Sequence, residues 1–394
     1  MLLGLVGKPS CGKSTFFKAA TMAEVAIASY PFTTIKPNHG VGYVKIDCID
    51  KEFGVQCNPN HGFCIKGKRF VPVEILDVAG LVPGASEGKG LGNQFLDDLR
   101  QADVFIHILD VSGTTDEGGK KTENYNPEKD IAFLEEELDK WYYNLLVKAW
   151  KSFVRKVEQE KQKFSESVVK QFSGLKVKEE QVKNVLLKSN FPEKSSTWNS
   201  DDLMKFASAL RRESKPMIIA ANKIDLEKSQ ENYERLKAKF PHLIFIPSSA
   251  DSELALREAA KAEMIEYVPG EKDFRIKGNL NEKQKGALES IKKNVLENFE
   301  TGTGIQAILN YAVFDLLRYV AVFPASATKL KDSKGNILPD CFLMPPNSTA
   351  LDFAYFLHTD FGKNFIRAVD ARTKKILGKN YQLKNCDALE IITG

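Results

Sequence analysis

Near its beginning the chain carries Gly7-Lys8-Pro9-Ser10-Cys11-Gly12-Lys13-Ser14, two glycines with four residues between them, then a lysine and a hydroxyl. Glycines at these positions let successive backbone N–H groups close around an anion. A helix starting at Lys13 would add partial positive charge at its N-terminus, where the first N–H groups have no partner inside the helix. Residues 7 to 15, Thr15 included, therefore read as a cradle for a nucleoside triphosphate. Lys13 reaches the outer phosphates and Ser14 offers its hydroxyl to Mg²⁺.

Two further segments have the chemistry to complete such a site. Asp77-Val78-Ala79-Gly80 closes a β-branched run, so its carboxylate is expected to hold Mg²⁺ through water and the Gly80 N–H to sense the terminal phosphate. Between the two lies Tyr30-Pro31-Phe32-Thr33-Thr34, from which Thr34 is the expected second metal ligand. Farther on, Asn222-Lys223-Ile224-Asp225 offers a carboxylate able to accept hydrogen bonds from guanine N1 and N2. Adenine would leave that carboxylate without a donor. Ser248-Ser249-Ala250 is then expected to present a backbone N–H to guanine O6. Four short motifs in this order point to Mg-GTP as the ligand, with Lys13, Thr34, Asp77 and Gly80 nearest the chemistry. Leu81 stands where many signalling GTPases place a water-orienting glutamine, so slow unaided turnover is expected.

Elements must hold these residues. Leu2 to Val6, Val71 to Asp77, Val104 to Val111, Pro216 to Ala221 and Leu243 to Pro247 have the length and apolar content of buried strands. Helical segments between them predict an α/β, doubly wound, mostly parallel P-loop sheet. Residues 1–120 and 214–317 are read as two parts of that domain. The intervening 121–213 read as an inserted helical, coiled-coil-like arm, its apolar face marked by Ile131, Leu134, Leu138, Leu145, Ala149, Phe153 and Val157. Its lysines read as a solvated face, with RNA binding the alternative. Ser200-Asp201-Asp202 marks a second helix start, and Asn281 to Asn298 and Gly304 to Leu317 are further helices. From 318 to 394 strand-like runs and turn signals predict a small β-rich domain.

Composition adds limits. With 43% hydrophobic and 27% charged residues the chain can build ordinary cores, and a formal charge of +4 requires any RNA contact to use a local patch. No signal peptide or bilayer-length apolar run is evident, so a cytoplasmic protein without membrane contact is expected. A monomer is the expectation.

Residues 30–38, Asp77-Val78-Ala79-Gly80-Leu81-Val82-Pro83-Gly84 and Gly90-Leu91-Gly92-Asn93-Gln94-Phe95-Leu96 together resemble the Obg family of GTPases, and within it the YchF-type branch in an archaeal form. Leu351-Asp352-Phe353-Ala354, His358-Thr359-Asp360 and Phe365-Ile366-Arg367-Ala368 look like the β-grasp TGS domain of that family. The resemblance covers nearly the whole chain. It implies a translation-associated switch that contacts ribosomes or RNA, and a hydrophobic residue in place of the catalytic glutamine, as Leu81 is here. Two departures stand out. YchF proteins proper alter the base-recognition motif and favour ATP, whereas residues 222–225 keep the guanine form. The family's P-loop asparagine is Ser10 in this chain, which bears on potassium-assisted hydrolysis.

Cys48, Cys57, His61 and Cys64 are zinc-ligand types, but their spacing matches no standard finger, and reduced cysteines in a loop between strands are the favoured reading. Cys11 reads as a small packed residue, with redox sensitivity the alternative if the helix N-terminus lowers its pKa.

Overall fold

A computed structural model of the chain describes residues 1–21, 38–78, 100–326, 330–331 and 335–394. Two compact units divide it, one built mainly on Met1–Ala19 and Glu74–Ile308, the other on Val41–Val73 and Leu309–Gly394.

Strand β1 (Leu2–Val6) is buried throughout, as a central strand of apolar residues must be. It feeds a loop and helix α1 (Lys13–Thr21), whose Phe16, Ala19 and Ala20 are buried at helical spacing. Next come β2 (His39–Asp47), β3 (Phe63–Ile65), β4 (Lys68–Asp77) and β5 (Val104–Asp110). The strand β2 was not anticipated, because Gly40, Gly42 and Lys45 dilute its apolar signal. Among the described residues the sheet has seven strands in the order β2-β4-β1-β5-β6-β7, with β3 an antiparallel addition to β4. Here β6 is Met217–Asn222 and β7 is Ile244–Pro247. The strands β4, β1, β5, β6 and β7 run parallel.

Register matters most for the site. Leu5 pairs with Asp77 on one side and Ile106 on the other, and Asp110 pairs with Asn222. The carboxyl ends of β1, β4, β5 and β6 thus finish along one edge. Successive strands fall on opposite sides of β1, which makes that edge the switch point where open α/β sheets bind ligands.

The insertion opens with the 32-residue helix α2 (Glu128–Gln159), followed by α3 (Phe164–Gln171), α4 (Glu179–Lys188) and α5 (Ser200–Ser214). Ile131, Leu134, Leu138, Phe153 and Val157 are buried as expected, but the middle of the stripe falls on Tyr142, Leu146 and Trp150 rather than on Leu145 and Ala149. The bulk of Trp150 decides this: it stacks on Trp198 at 5.3 Å and packs with Phe153, Phe164 and Phe206. Arg211 of α5, fully enclosed, ties the two long helices together through Asp139 at 2.7 Å and Glu135 at 3.3 Å. The start of α5 is capped by Asn199, one residue earlier than expected, through the Asp201 and Asp202 N–H groups. Lys148, Lys151, Arg155, Lys156, Lys161 and Lys163 are exposed.

Helix α6 (Ser229–Lys239) joins β6 to β7; after β7 come α7 (Ala250–Lys261), the two-stranded sheet of β8 (Ile265–Tyr267) and β9 (Phe274–Ile276), and α8 (Glu282–Ile291) and α9 (Ile305–Asn310). Leu256, Ile265, Tyr267, Leu288 and Leu296 form their core. The second unit carries a five-stranded sheet in the order β11-β10-β14-β12-β13, made of β10 (Val320–Pro324), β11 (Phe342–Met344), β12 (Phe365–Asp370), β13 (Ile376–Leu377) and β14 (Asp387–Thr393). Helix α10 (Ala350–Leu357) buries Phe353 against it, with Val322, Met344, Leu383 and Leu389. Thr349 and Asp352 close a reciprocal cap at its start. Among the described residues no helix is long and apolar enough to cross a membrane.

Candidate functional site

The loop from Gly7 to Gly12 sits at the switch point, and its backbone shows what the glycines are for. Gly12 has φ +94°, and a side chain there would come within 2.3 Å of the Asn222 amide nitrogen; one at Gly7 would meet the Ile108 carbonyl at 2.7 Å. Ser10 also adopts a left-handed conformation at φ 60°. A cradle closed at Gly7 and Gly12, with Pro9, Ser10 and Ser14 exposed along it, fits a phosphate chain. The hydroxyl of Ser14 and the carboxylate of Asp77 supply the hard oxygen donors that suit Mg²⁺.

Lys13 makes an ion pair with Asp77, so the residues expected on the phosphates and on the metal are brought together. Asp77 is held at the end of β4, its N–H donating to the Asn38 carbonyl at 2.8 Å, and Val78 donates to Leu5. Lys8, expected in the cradle through its backbone, has its side chain engaged elsewhere. Its side chain is buried and points away along the fold, bonding the Thr115 carbonyl at 2.7 Å and the Asp130 carboxylate at 2.8 Å, with its ammonium 4.0 Å from the Tyr125 ring centre. With the side chain so tethered, Lys8 can serve a nucleotide only through its backbone. Cys11 is fully buried, and burial pushes its thiol up to about 11, which removes the redox alternative. His107 on β5, enclosed beneath the loop, is driven down to about 3 by burial and so stays neutral.

The base-recognition end is organised by one amide. Asn222 donates from Nδ2 to the Cys11 carbonyl at 2.9 Å and accepts the Ala250 N–H on Oδ1 at 3.0 Å. One buried side chain therefore joins the phosphate loop to the loop after β7. Its neighbour Lys223, at φ 62°, extends to the Asp110 carboxylate at 2.7 Å. Burial alone would raise the Asp110 carboxyl, but hydrogen bonds from Lys223, Ser112 and Thr115 hold it below the ordinary aspartate value. Asp225 is exposed at the end of this turn, available to a base.

At Ser249 and Ala250 the backbone N–H groups already have partners within the protein. The Ser248, Ser249 and Ala250 N–H groups donate to Ala221, Thr303 and the Asn222 side chain in turn, so none projects without a protein partner. For Ala250 to meet guanine O6 it must share or release Asn222. The loop is braced from below by Glu253, fully buried, which accepts from Tyr267 at 2.8 Å, Thr303 at 2.5 Å and Arg257 at 2.6 Å. Gly304 lies so close to Pro247 that a side chain would come within 2.0 Å of its carbonyl. Asp110, Glu253 and Thr303 were missed from sequence; the strand-end position of Asp110 in Ile108-Leu109-Asp110 was the one available signal.

Thr33, Thr34, Ala79, Gly80 and Leu81, with most of residues 30–38 and 90–96, lie outside the described residues. Elsewhere in this unit an open groove of about 790 Å³ lies on the helical insertion, near Trp198 and Lys161.

Comparison with known proteins agrees with this geometry. Residues 2–146 match the family model described as a 50S ribosome-binding GTPase, 220–326 that of the Obg-like GTPase YGR210-like, G4 motif-containing domain, and 331–393 that of the TGS domain. A Methanocaldococcus jannaschii protein named an uncharacterized GTP-binding protein is 47% identical, with 100% of this chain and 99% of that one covered. The crystal structure of a Pyrococcus horikoshii GTP binding protein superposes with TM-score 0.79 at 40% identity, covering all of both chains. The Buchnera aphidicola protein named ribosome-binding ATPase YchF is 28% identical over 93% of this chain and 86% of its own.

Proposed function

The chain belongs to the YchF/Obg-like family of GTP-binding proteins, and from that premise we propose that it hydrolyses Mg-GTP slowly and acts, in the cytoplasm, as a nucleotide-dependent switch on ribosomes or RNA. The observation that carries the guanine reading is the division of labour in residues 222–225. Asn222 and Lys223 are consumed by the scaffold, leaving Asp225 exposed for the base.

In this reading the Gly7–Thr15 backbone and the α1 N-terminus hold the phosphates, and Lys13 leaves Asp77 for the outer phosphate oxygens. Ser14 and Thr34 would hold Mg²⁺, and Asp77 would support it through water. The bound ion would neutralise charge on the β- and γ-phosphate oxygens. Ala79 and Gly80 follow Asp77 and Val78 into the segment that senses the terminal phosphate. Asp225 selects guanine by accepting its N1 and N2 protons, while Ala250 exchanges Asn222 for O6. Leu81 has no group to orient water, which leaves that task to a partner or to the substrate's surroundings.

Residues 1–120 and 214–317 serve as the nucleotide domain, 121–213 as the helical arm and 318–394 as the TGS domain. The ribosome assignment draws on the relative named for ribosome binding and on the ribosome-binding GTPase model matched by residues 2–146. Because that relative is named an ATPase, nucleotide preference is part of the test. Calorimetry with GTP and ATP, then turnover with and without ribosomal subunits, should show GTP preference and ribosome stimulation. Equal affinity for both purines, or turnover indifferent to ribosomes, would overturn the respective half of the proposal.

A further inference from the structure

Residues 48–64 of the second unit collect three thiols and a carboxylate that the nucleotide chemistry does not use. Cys48 follows the end of β2, Asp50 lies in the single helical turn of residues 49–51, Cys57 belongs to the loop beyond it, and Cys64 is the middle residue of β3. Their three sulfurs and a carboxylate oxygen all lie within 4.8 Å of one another. Cys48 Sγ and Cys57 Sγ are 3.6 Å apart, and Cys64 Sγ is 3.9 Å from Asp50 Oδ2. A zinc ion at about 2.3 Å from each sulfur places two thiolates about 3.8 Å apart across a tetrahedron, so these side chains already stand at the edges of one. We propose that Cys48, Asp50, Cys57 and Cys64 bind a structural zinc ion.

Three observations favour this over reduced cysteines that merely pack together. Asp50 is 2% exposed, and its Oδ1 has no hydrogen-bond partner although its Oδ2 accepts the Cys57 N–H at 3.3 Å. A buried carboxylate oxygen with nothing to accept from is costly unless a cation meets it. Arg69, directly opposite Cys64 in the β3–β4 pairing, is fully buried and makes no ion pair among the described residues. Its Nη2 donates to the Leu338 and Pro339 carbonyls, while Nε and Nη1 have no acceptor. Three thiolates and a carboxylate around one divalent ion carry a net negative charge, for which this guanidinium is the neighbouring complement. The loop itself supplies the third. Its residues 51–62 are mostly exposed or half-exposed, with Cys57 the one buried side chain, too little apolar burial to hold the turn by packing alone.

The donor set points to zinc rather than other metals: soft thiolates with one hard oxygen in a compact four-ligand site suit it, whereas an iron–sulfur cluster asks for four cysteines. His61, the residue the sequence offered as fourth ligand, instead lies with Nε2 3.9 Å from Asp340. A Cys48–Cys57 disulfide is the competing chemistry. It would need the sulfurs at about 2.05 Å and would leave Asp50 Oδ1 and Cys64 without a role.

The test uses the full chain, purified reduced, stripped with a chelator and titrated with Zn²⁺ or Co²⁺. Elemental analysis should give a single zinc per chain, and the cobalt form should show a thiolate-to-metal charge-transfer band with the strong visible bands of a tetrahedral ion. Cys48→Ser and Cys57→Ser should lose the zinc. Asp50→Asn, which keeps every thiol and so is the variant most able to fold, should weaken zinc affinity by about tenfold or more and shift the visible cobalt bands. His61→Ala and Cys386→Ser should retain full zinc. A wild-type chain that takes up no zinc, a six-coordinate cobalt spectrum, full zinc retention by a folded Cys48→Ser chain, or a Cys48–Cys57 disulfide in peptide mapping would each overturn the assignment.

Discussion

The phosphate loop and the cysteine cluster are both small polar sites at the ends of strands, yet they are made in opposite ways. At the nucleotide site the contacts are largely backbone, and one side chain joins segments far apart in the chain: Asn222 bonds the Cys11 carbonyl 211 residues away and accepts the Ala250 N–H. The cysteine cluster is made of side chains alone, drawn from seventeen consecutive residues, 48–64. A backbone site demands glycines at fixed spacing in one short loop, with a strand and a helix around them, so it announces itself in the sequence. A side-chain site asks only that a hairpin bring its members together, which spacing does not reveal.

Severing the nucleotide side should have the largest effect. Lys13→Ala is expected to lower GTP affinity and turnover by about 10³-fold, since a preorganised charge-stabilising donor is lost from the phosphates. Zinc content should be unchanged, and a fall in it would show the two sites to be coupled. Next in size is Asp225→Ala, expected to reduce the preference for GTP over ATP by about 10²-fold in calorimetry. If the preference survives, the base is read elsewhere and the backbone account of this site is incomplete. Asn222→Ala strands the buried Cys11 carbonyl and the Ala250 N–H, so we expect about 2–3 kcal/mol of lost stability in urea unfolding together with weaker GTP binding. Loss of stability with unaltered nucleotide affinity would mean that the amide braces the fold without linking the two loops.

The smallest effect concerns thiols and divides the two regions directly. With its pKa raised from 9.0 to about 11, Cys11 holds about a hundredfold less thiolate at neutral pH than an ordinary cysteine. Alkylation followed by peptide mass spectrometry should leave it unmodified in the folded chain at pH 7.5. The cluster cysteines should become reactive only once zinc is removed, and labelling of Cys11 before them would reverse the comparison.

Legibility followed the same division. Leu2–Val6 was read residue for residue, and the strands at 104, 217 and 244 within a residue or two, because unbroken apolar runs between turns leave few alternatives. The strand His39–Asp47 escaped because its outer residues are half-buried and its glycines interrupt the pattern. The long helix was legible, but not which side of its middle faces inward, since Tyr142, Leu146 and Trp150 compete there with Leu145 and Ala149 and aromatic packing decides. Asn222 was visible as part of a motif, whereas its use as a tether, and the diversion of Lys8 to Asp130, depend on distant partners that spacing cannot supply.

The tryptophan stack has a practical sequel. The chain's tryptophans are Trp141, Trp150 and Trp198, and all of them lie in the helical insertion. Emission excited at their wavelength is therefore a private reporter of that arm, silent about the β-rich unit and its cysteines. An unfolding curve followed by this light and one followed by far-ultraviolet circular dichroism ask different questions of the molecule. Any gap between their midpoints would measure how far the arm melts on its own.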